Sequence, residues 1–312
     1  MFAWAILVAG AAIAQQYPTK PIRIVVPFAP GGPNDILARI IGQKLTEAWG
    51  QPAIVENRPG GGTIIGTELV AKSPPDGYAL LMVSTSHTTN PTLLRKLPYD
   101  PLRDLEPVIL VASSPNVVIA HPSLPAKSVK ELIAVARSRP EQVAYGSGGN
   151  GTSTHLAGAM LALMGGVKMI HVPYRGGGPA TIDLLGGQTT WMVGTILPSM
   201  PHIRSGRLRA LAVTGAKRSP ALPDVPPVAD TLPGFEASSW YGVSAPGGTP
   251  KDVVAKLNQE IARRLNTPDI RERIAGEGTE IVAGSPEEFG SFYRSEIEKW
   301  AKVIKAAGIR LE

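Results

Sequence analysis

Twice along this chain a short apolar run passes into a glycine-rich turn and then into apolar residues at helical spacing. Such a chain folds as strands and helices in alternation around a largely parallel sheet. The first copy runs from Ile22–Pro27 (IRIVVP) through Pro27-Phe28-Ala29-Pro30-Gly31-Gly32-Pro33-Asn34-Asp35 to a helix over 36–49, whose apolar face is Ile36, Ile40, Ile41, Leu45 and Trp49. The second runs from Val143-Ala144-Tyr145 through Gly146-Ser147-Gly148-Gly149-Asn150-Gly151-Thr152-Ser153 to a helix over His155–Met164. Further strands are predicted at Ile54–Glu56, Ala79–Val83 and Val167–Pro173. Helices are predicted at Thr63–Lys72, Ala180–Leu185, Lys251–Leu265, Pro268–Ala275 and Pro286–Ala306. The fold class is α/β.

With 312 residues there is room for two compact bodies. Val108–Ala120 (VILVASSPNVVIA) holds two apolar runs split by Ser113-Ser114-Pro115, and Ala237–Ala245 (ASSWYGVSA) is the one comparable return. If both are crossings, the first lobe is residues 15–114 plus 240–312 and the second is 115–239. A contiguous pair of domains split near Ala120 is the rival arrangement.

The two glycine turns are suited to anions. Glycine lets a backbone approach a ligand, and the unpaired N–H groups of a helix start carry partial positive charge, so an anion is held without Arg or Lys. Asn34 or Asp35 serving only as a helix cap is the plainer reading of the first turn. In the second turn Ser147, Thr152 and Ser153 add hydroxyl donors. Its Gly146, Gly148 and Gly151 also satisfy G-x-G-x-x-G, but the next strand ends in Tyr174-Arg175 and offers no acid for a ribose, which disfavours a dinucleotide. The polar run Ser84–Asn90, with Thr85 and His87, follows a strand and is placed at the same sheet edge as the first turn. The glycines of Tyr174-Arg175-Gly176-Gly177-Gly178 are read as a turn before the next helix.

Catalytic and metal patterns are missing. The sequence has no G-x-S-x-G, Walker A or H-E-x-x-H, its five histidines lack ligand spacing, and it has no cysteine, hence no disulfide, zinc-thiolate site or lipoprotein anchor. Neither an enzyme nor a cofactor is expected. A formal charge of +6 with scattered Lys and Arg fits long-range attraction of small anions better than nucleic-acid binding. Phe2–Ala14 is apolar, too short to span a bilayer, and ends Ala12-Ile13-Ala14, so it reads as a signal-peptide core that sends the chain to the periplasm, although no Lys or Arg precedes it. A buried first helix is the other reading.

Taken together the runs YPTKPIRIVVPFAPGGPNDILAR (Tyr17–Arg39), VENRPGGG (Val55–Gly62), YGSGGNGTSTHLAG (Tyr145–Gly158), VPYRGGGPA (Val172–Ala180) and GRLRALAVT (Gly206–Thr214) resemble the Bug proteins, the periplasmic receptors of tripartite tricarboxylate transporters. PDVP (Pro223–Pro226) and GVSAPGGTP (Gly242–Pro250) extend the resemblance over essentially the whole mature chain. It implies a two-lobed periplasmic-binding architecture of type II-like form with a discontinuous first lobe. It also implies a small carboxylic acid ligand gripped by Phe28, Ala29, Gly31, Gly32 and Asp35 of one turn and Ser147, Gly149, Thr152 and Ser153 of the other, with Thr85 and His87 at the rim and Thr195 nearby. The implied partners of the monomer are membrane transporter subunits, engaged transiently, or alternatively a sensor kinase. One stretch departs from the pattern. Where many relatives read MFDNLPS, this chain has Met192-Val193-Gly194-Thr195-Ile196-Leu197-Pro198-Ser199, and the missing acid implies a ligand without an ammonium group.

Overall fold

The computed structural model describes residues 17–307 apart from 95 and 277; the apolar stretch 2–14 lies outside the described residues. The chain opens with β1 (Ile22–Val26), α1 (Pro33–Trp49), β2 (Ala53–Asn57), α2 (Ile64–Ala71), β3 (Ala79–Ser84) and α3 (Thr85–Leu93). A long strand, β4 (Leu105–Ala120), leads to α4 (Val129–Ser138), β5 (Ala144–Ser147), α5 (Ser153–Met164) and β6 (Ile170–Pro173). Then come α6 (Gly177–Leu185), β7 (Trp191–Thr195), α7 (Ile196–Arg204) and β8 (Arg209–Val213). The chain returns through β9 (Ser238–Pro246) and finishes with α8 (Lys251–Leu265), α9 (Pro268–Ala275), β10 (Glu280–Ile281) and α10 (Pro286–Ala307).

The strands form two groups. In the first, β2, β1 and β3 are parallel neighbours, and β9 joins β3 antiparallel. In the second, β6, β5 and β7 are parallel neighbours. The strand β4 belongs to both. Its Leu105–Pro115 stretch pairs with β9, and from Asn116 onward it pairs with β7 and β8. The expected break at Ser113-Ser114-Pro115 is therefore continuous strand. Proline cannot donate to a ladder, and Pro115 stands where the ladder with β9 ends and the chain changes partners.

Each group is covered on both faces, which is why its strands are nearly continuous apolar runs. In β1, Ile22, Ile24 and Val26 face Leu37, Ile41 and Leu45 of α1 and Leu257 and Ile261 of α8, while Val25 points the other way toward Phe289 and Tyr293 of α10. The same two-residue period splits β4: Val118 and Ala120 join Trp191 and Leu161 on one side, and Val117 and Ile119 join Met192 and Met200 on the other. Burying each large side chain contributes about 1.5–3 kcal/mol. Among the described residues no helix is long and apolar enough to cross a membrane.

The run Ser84–Asn90 is helical from Thr85 onward, with Ser84 as the N-cap. Its lack of an apolar period hides this, and the helix is held by its cap and its packing. Ser84 and His87 form a reciprocal capping box, and Tyr293 of α10 donates to the His87 carbonyl at 3.4 Å.

Candidate binding site

The strands β1, β5 and β6 pass through a turn into a helix, β3 and β7 run into theirs directly, and the carboxyl ends of these five strands meet. A cavity is lined by Gly32, Pro33 and Asn34 at the start of α1, Ser84 and Thr85 at α3, and Thr152, Ser153 and Thr154 at α5. Gly177 and Thr181 of α6 and Thr195 and Pro198 of α7 complete the ring of helix starts. Ser239, Trp240 and Tyr241 of β9 form the floor. The place is the carboxyl edge where open α/β sheets bind ligands.

Three of the five helix starts carry no side-chain cap. The N-caps of α1, α6 and α7 are Gly32, Gly176 and Thr195, and none makes a side-chain cap bond. Pro33 at the first turn of α1 has no N–H to satisfy. Each helix end contributes about half a positive charge within its first turn. Among the described residues no Asp, Glu, Lys, Arg or His lines the cavity, and burial raises the Tyr241 phenol on its wall still further above neutral pH. Three buried polar atoms on the wall, Asn34 Oδ1, Thr85 Oγ1 and Tyr241 Oη, have no protein partner. Each such atom costs about 1–3 kcal/mol unless something pairs with it.

The twelve residues singled out from sequence fall into three sets. Phe28, Gly32, Thr85, Thr152, Ser153 and Thr195 line the cavity. Gly149 lies on an adjoining groove with Gly60–Thr63, Tyr174 and Arg175. Ala29, Gly31, Asp35, Ser147 and His87 line neither space. Asp35 instead anchors the first turn from behind. Its carboxylate accepts the Gly31 N–H and an Asn57 side-chain N–H, both at 3.0 Å, and pairs with Arg39 at 2.9 Å. Burial raises its pKa, but bonds from Arg39, Gly31 and Asn57 outweigh that and lower it. Ala29 donates its N–H to the Arg175 carbonyl at 2.8 Å, tying the first turn to the β6–α6 turn over the cavity. Ser147 accepts the Gly149 N–H at 3.1 Å and holds the second turn in shape. His87 is not at a rim. It is fully buried, with Nδ1 accepting the Ser84 N–H at 3.1 Å and Nε2 3.0 Å from Thr67 Oγ1, because the third residue of a helix folds its side chain back toward the cap.

Sequence reasoning passed over Gly177 and Thr181, although Tyr174–Gly178 carries the same strand, glycine turn and helix start for a third time. Ser239 had no local signal. Its hydroxyl is 2.6 Å from Ser153 Oγ and donates to Asn116 Oδ1 at 2.6 Å, a chain that links the α5 start to both crossing strands. Gly194 lines the cavity as well.

Two strand groups that share a continuous strand, with a cavity lined by helix starts from both, define a solute-binding receptor. The particular family follows from comparison. The model of the tripartite tricarboxylate transporter family receptor matches residues 37–309, and the chain belongs to that family. Protein BugT of Bordetella pertussis is 38% identical over 308 residues, covering 98% of this chain and 94% of BugT. Among solved structures, R. palustris Rpa4515 with adipate superposes with a TM-score of 0.91 at 38% identity, covering 94% of this chain and 99% of that one. MatC from Rhodopseudomonas palustris with bound malate gives 0.88 at 32% identity, covering 92% and 100%.

Proposed function

We propose that this protein is a periplasmic receptor that captures a small carboxylate between two lobes and hands it to a tripartite tricarboxylate transporter. The observation that carries the reading is a cavity ringed by five helix starts and free of charged side chains. Such a wall neutralises one or two carboxylates by dipoles and hydroxyl donors, and it offers no carboxylate to an ammonium group. The adipate and malate held by two similar proteins are ligands of that kind. The lobes are residues 15–114 with 240–312, and 115–239, hinged on β4 and β9. Ligand contact with turns of both lobes favours the closed form over the open one. The chain acts as a monomer and turns nothing over. Signal-peptide cleavage after Ala14 releases it.

A thermal-shift screen at pH 7.5 with mono-, di- and tricarboxylates tests the reading, with amino acids as controls. Adipate or a similar acid at 100 times its Kd is expected to stabilise the fold by about 2.7 kcal/mol, while aspartate and glutamate leave it unchanged. Stabilisation by aspartate, or by none of the acids, would overturn the reading.

A further inference from the structure

Behind the second glycine turn lies a pair of side chains that never reaches the cavity. His155, in the first turn of α5, and His171, on β6, stack with ring centroids 3.9 Å apart and planes 16° apart. Each ring holds one end of the turn. The Gly151 N–H donates to His155 Nδ1 at 3.2 Å, and Ser147 Oγ lies 2.6 Å from His171 Nε2. The same Ser147 oxygen accepts the Gly149 N–H, so the turn is clamped from Ser147 to Gly151.

We propose that His155 and His171 are positioning residues of the carboxylate site: a neutral imidazole pair that fixes the turn presenting Gly148, Thr152 and Ser153, and that releases it on protonation. The inference rests on the carboxylate reading above for its effect on affinity, but not for its effect on the turn. A backbone N–H can only donate, so His155 Nδ1 must be bare to receive it. A proton on that nitrogen sets two donors against each other. Charge on both stacked rings adds repulsion across 3.9 Å. The groups that face the pair do not compensate. Tyr145 of β5 lies 5.0 Å from His171, with Trp191 of β7 beyond it, and burial keeps the Tyr145 phenol neutral. The hydrogen-bond partners of the rings are the Ser147 hydroxyl and the Gly151 amide, and the Lys168–Glu141 ion pair beside these strands is exposed. Burial lowers His155 to about 4, and burial with the neighbouring His155 lowers His171 to about 3.

The test compares the wild type with His155→Gln, which keeps an acceptor but cannot take a proton, and His155→Leu, which keeps neither. Adipate affinity is read by calorimetry at pH 7.5, and protection of the Gly151 amide is read by NMR hydrogen exchange in the ligand-free protein from pH 7.5 to 3. At pH 7.5 His155→Leu is expected to bind adipate about tenfold more weakly and to lose Gly151 protection, with His155→Gln restoring most of both. On acidification the wild type loses Gly151 protection and His155→Gln keeps it. Full protection in His155→Leu, or a parallel loss in wild type and His155→Gln, would overturn the proposal. If adipate does not bind at all, the receptor reading fails on that count, while Gly151 protection still decides this one.

Discussion

At Gly178 a methyl group would lie 2.2 Å from the Pro30 carbonyl oxygen, and at Gly32 it would lie 3.5 Å from the Gly177 N–H. The two halves therefore meet over the cavity glycine against glycine, and at Gly178 a side chain has no room. Gly178→Ala is expected to weaken adipate binding at least about tenfold while leaving the ligand-free melting temperature within a degree or two, since the clash exists only when the turns are in contact. Calorimetry and thermal unfolding check the two halves of that statement. Gly32→Val is a similarly clean probe, whereas Gly149→Val is not. Gly149 has φ +120°, and a Cβ there would come 2.6 Å from the Tyr174 carbonyl, so the variant strains the fold itself. Gly194→Asp tests ligand choice. A carboxylate placed in this uncharged wall repels a carboxylate ligand, so adipate affinity should fall by about tenfold or more and any aspartate binding should rise. Unchanged adipate affinity would show that this position does not face the ligand.

Among the elements, α3 shows how a helix is held by its cap. His87 is fully buried, and burial lowers it to about 4 from an ordinary value of 6.5. The folded value lies below the unfolded one, so this contribution to stability is whole above pH 6.5 and is lost as the pH falls from 6.5 toward 4. The loss is on the order of 3 kcal/mol. Urea midpoints measured from pH 7.5 to 4 should fall, and His87→Gln should flatten that fall by up to about one proton's worth of slope. How much was legible from sequence follows the same line. The turns after β1 and β5 were legible because an apolar run, glycines and a helical period sit next to each other in the chain. The run that became α3 was not, because TSHTTNPTL has no apolar face and takes its order from α10 and the capping box. Ser239 and Tyr241 reach the cavity only through antiparallel pairing of β9 with β3 and β4, and no local pattern records that pairing. The stack of His155 on His171 depends likewise on α5 folding back against β6.

For the molecule as a whole, the charge of +6 lies outside a cavity that has no cation. Attraction over that distance is screened beyond roughly 8 Å at physiological salt. The association rate of a dicarboxylate should therefore drop severalfold between 10 mM and 500 mM NaCl, while the dissociation rate stays nearly constant. Stopped-flow mixing with intrinsic fluorescence can follow both, since Trp240 lines the cavity. A dissociation rate that rises steeply with salt would point to an ion pair at the ligand.

The strand β4 pairs along Leu105–Pro115 with one group and from Asn116 with the other. Neither half is consequently a module. A gene fragment cut at this strand leaves one product with an open sheet edge and the other without its first strand, so recombination cannot exchange halves between relatives as it exchanges beads on a string. Diversification is pushed instead to the carboxyl ends of the strands, where a substitution at a position such as Gly194, near the end of β7, alters the cavity wall and spares the frame.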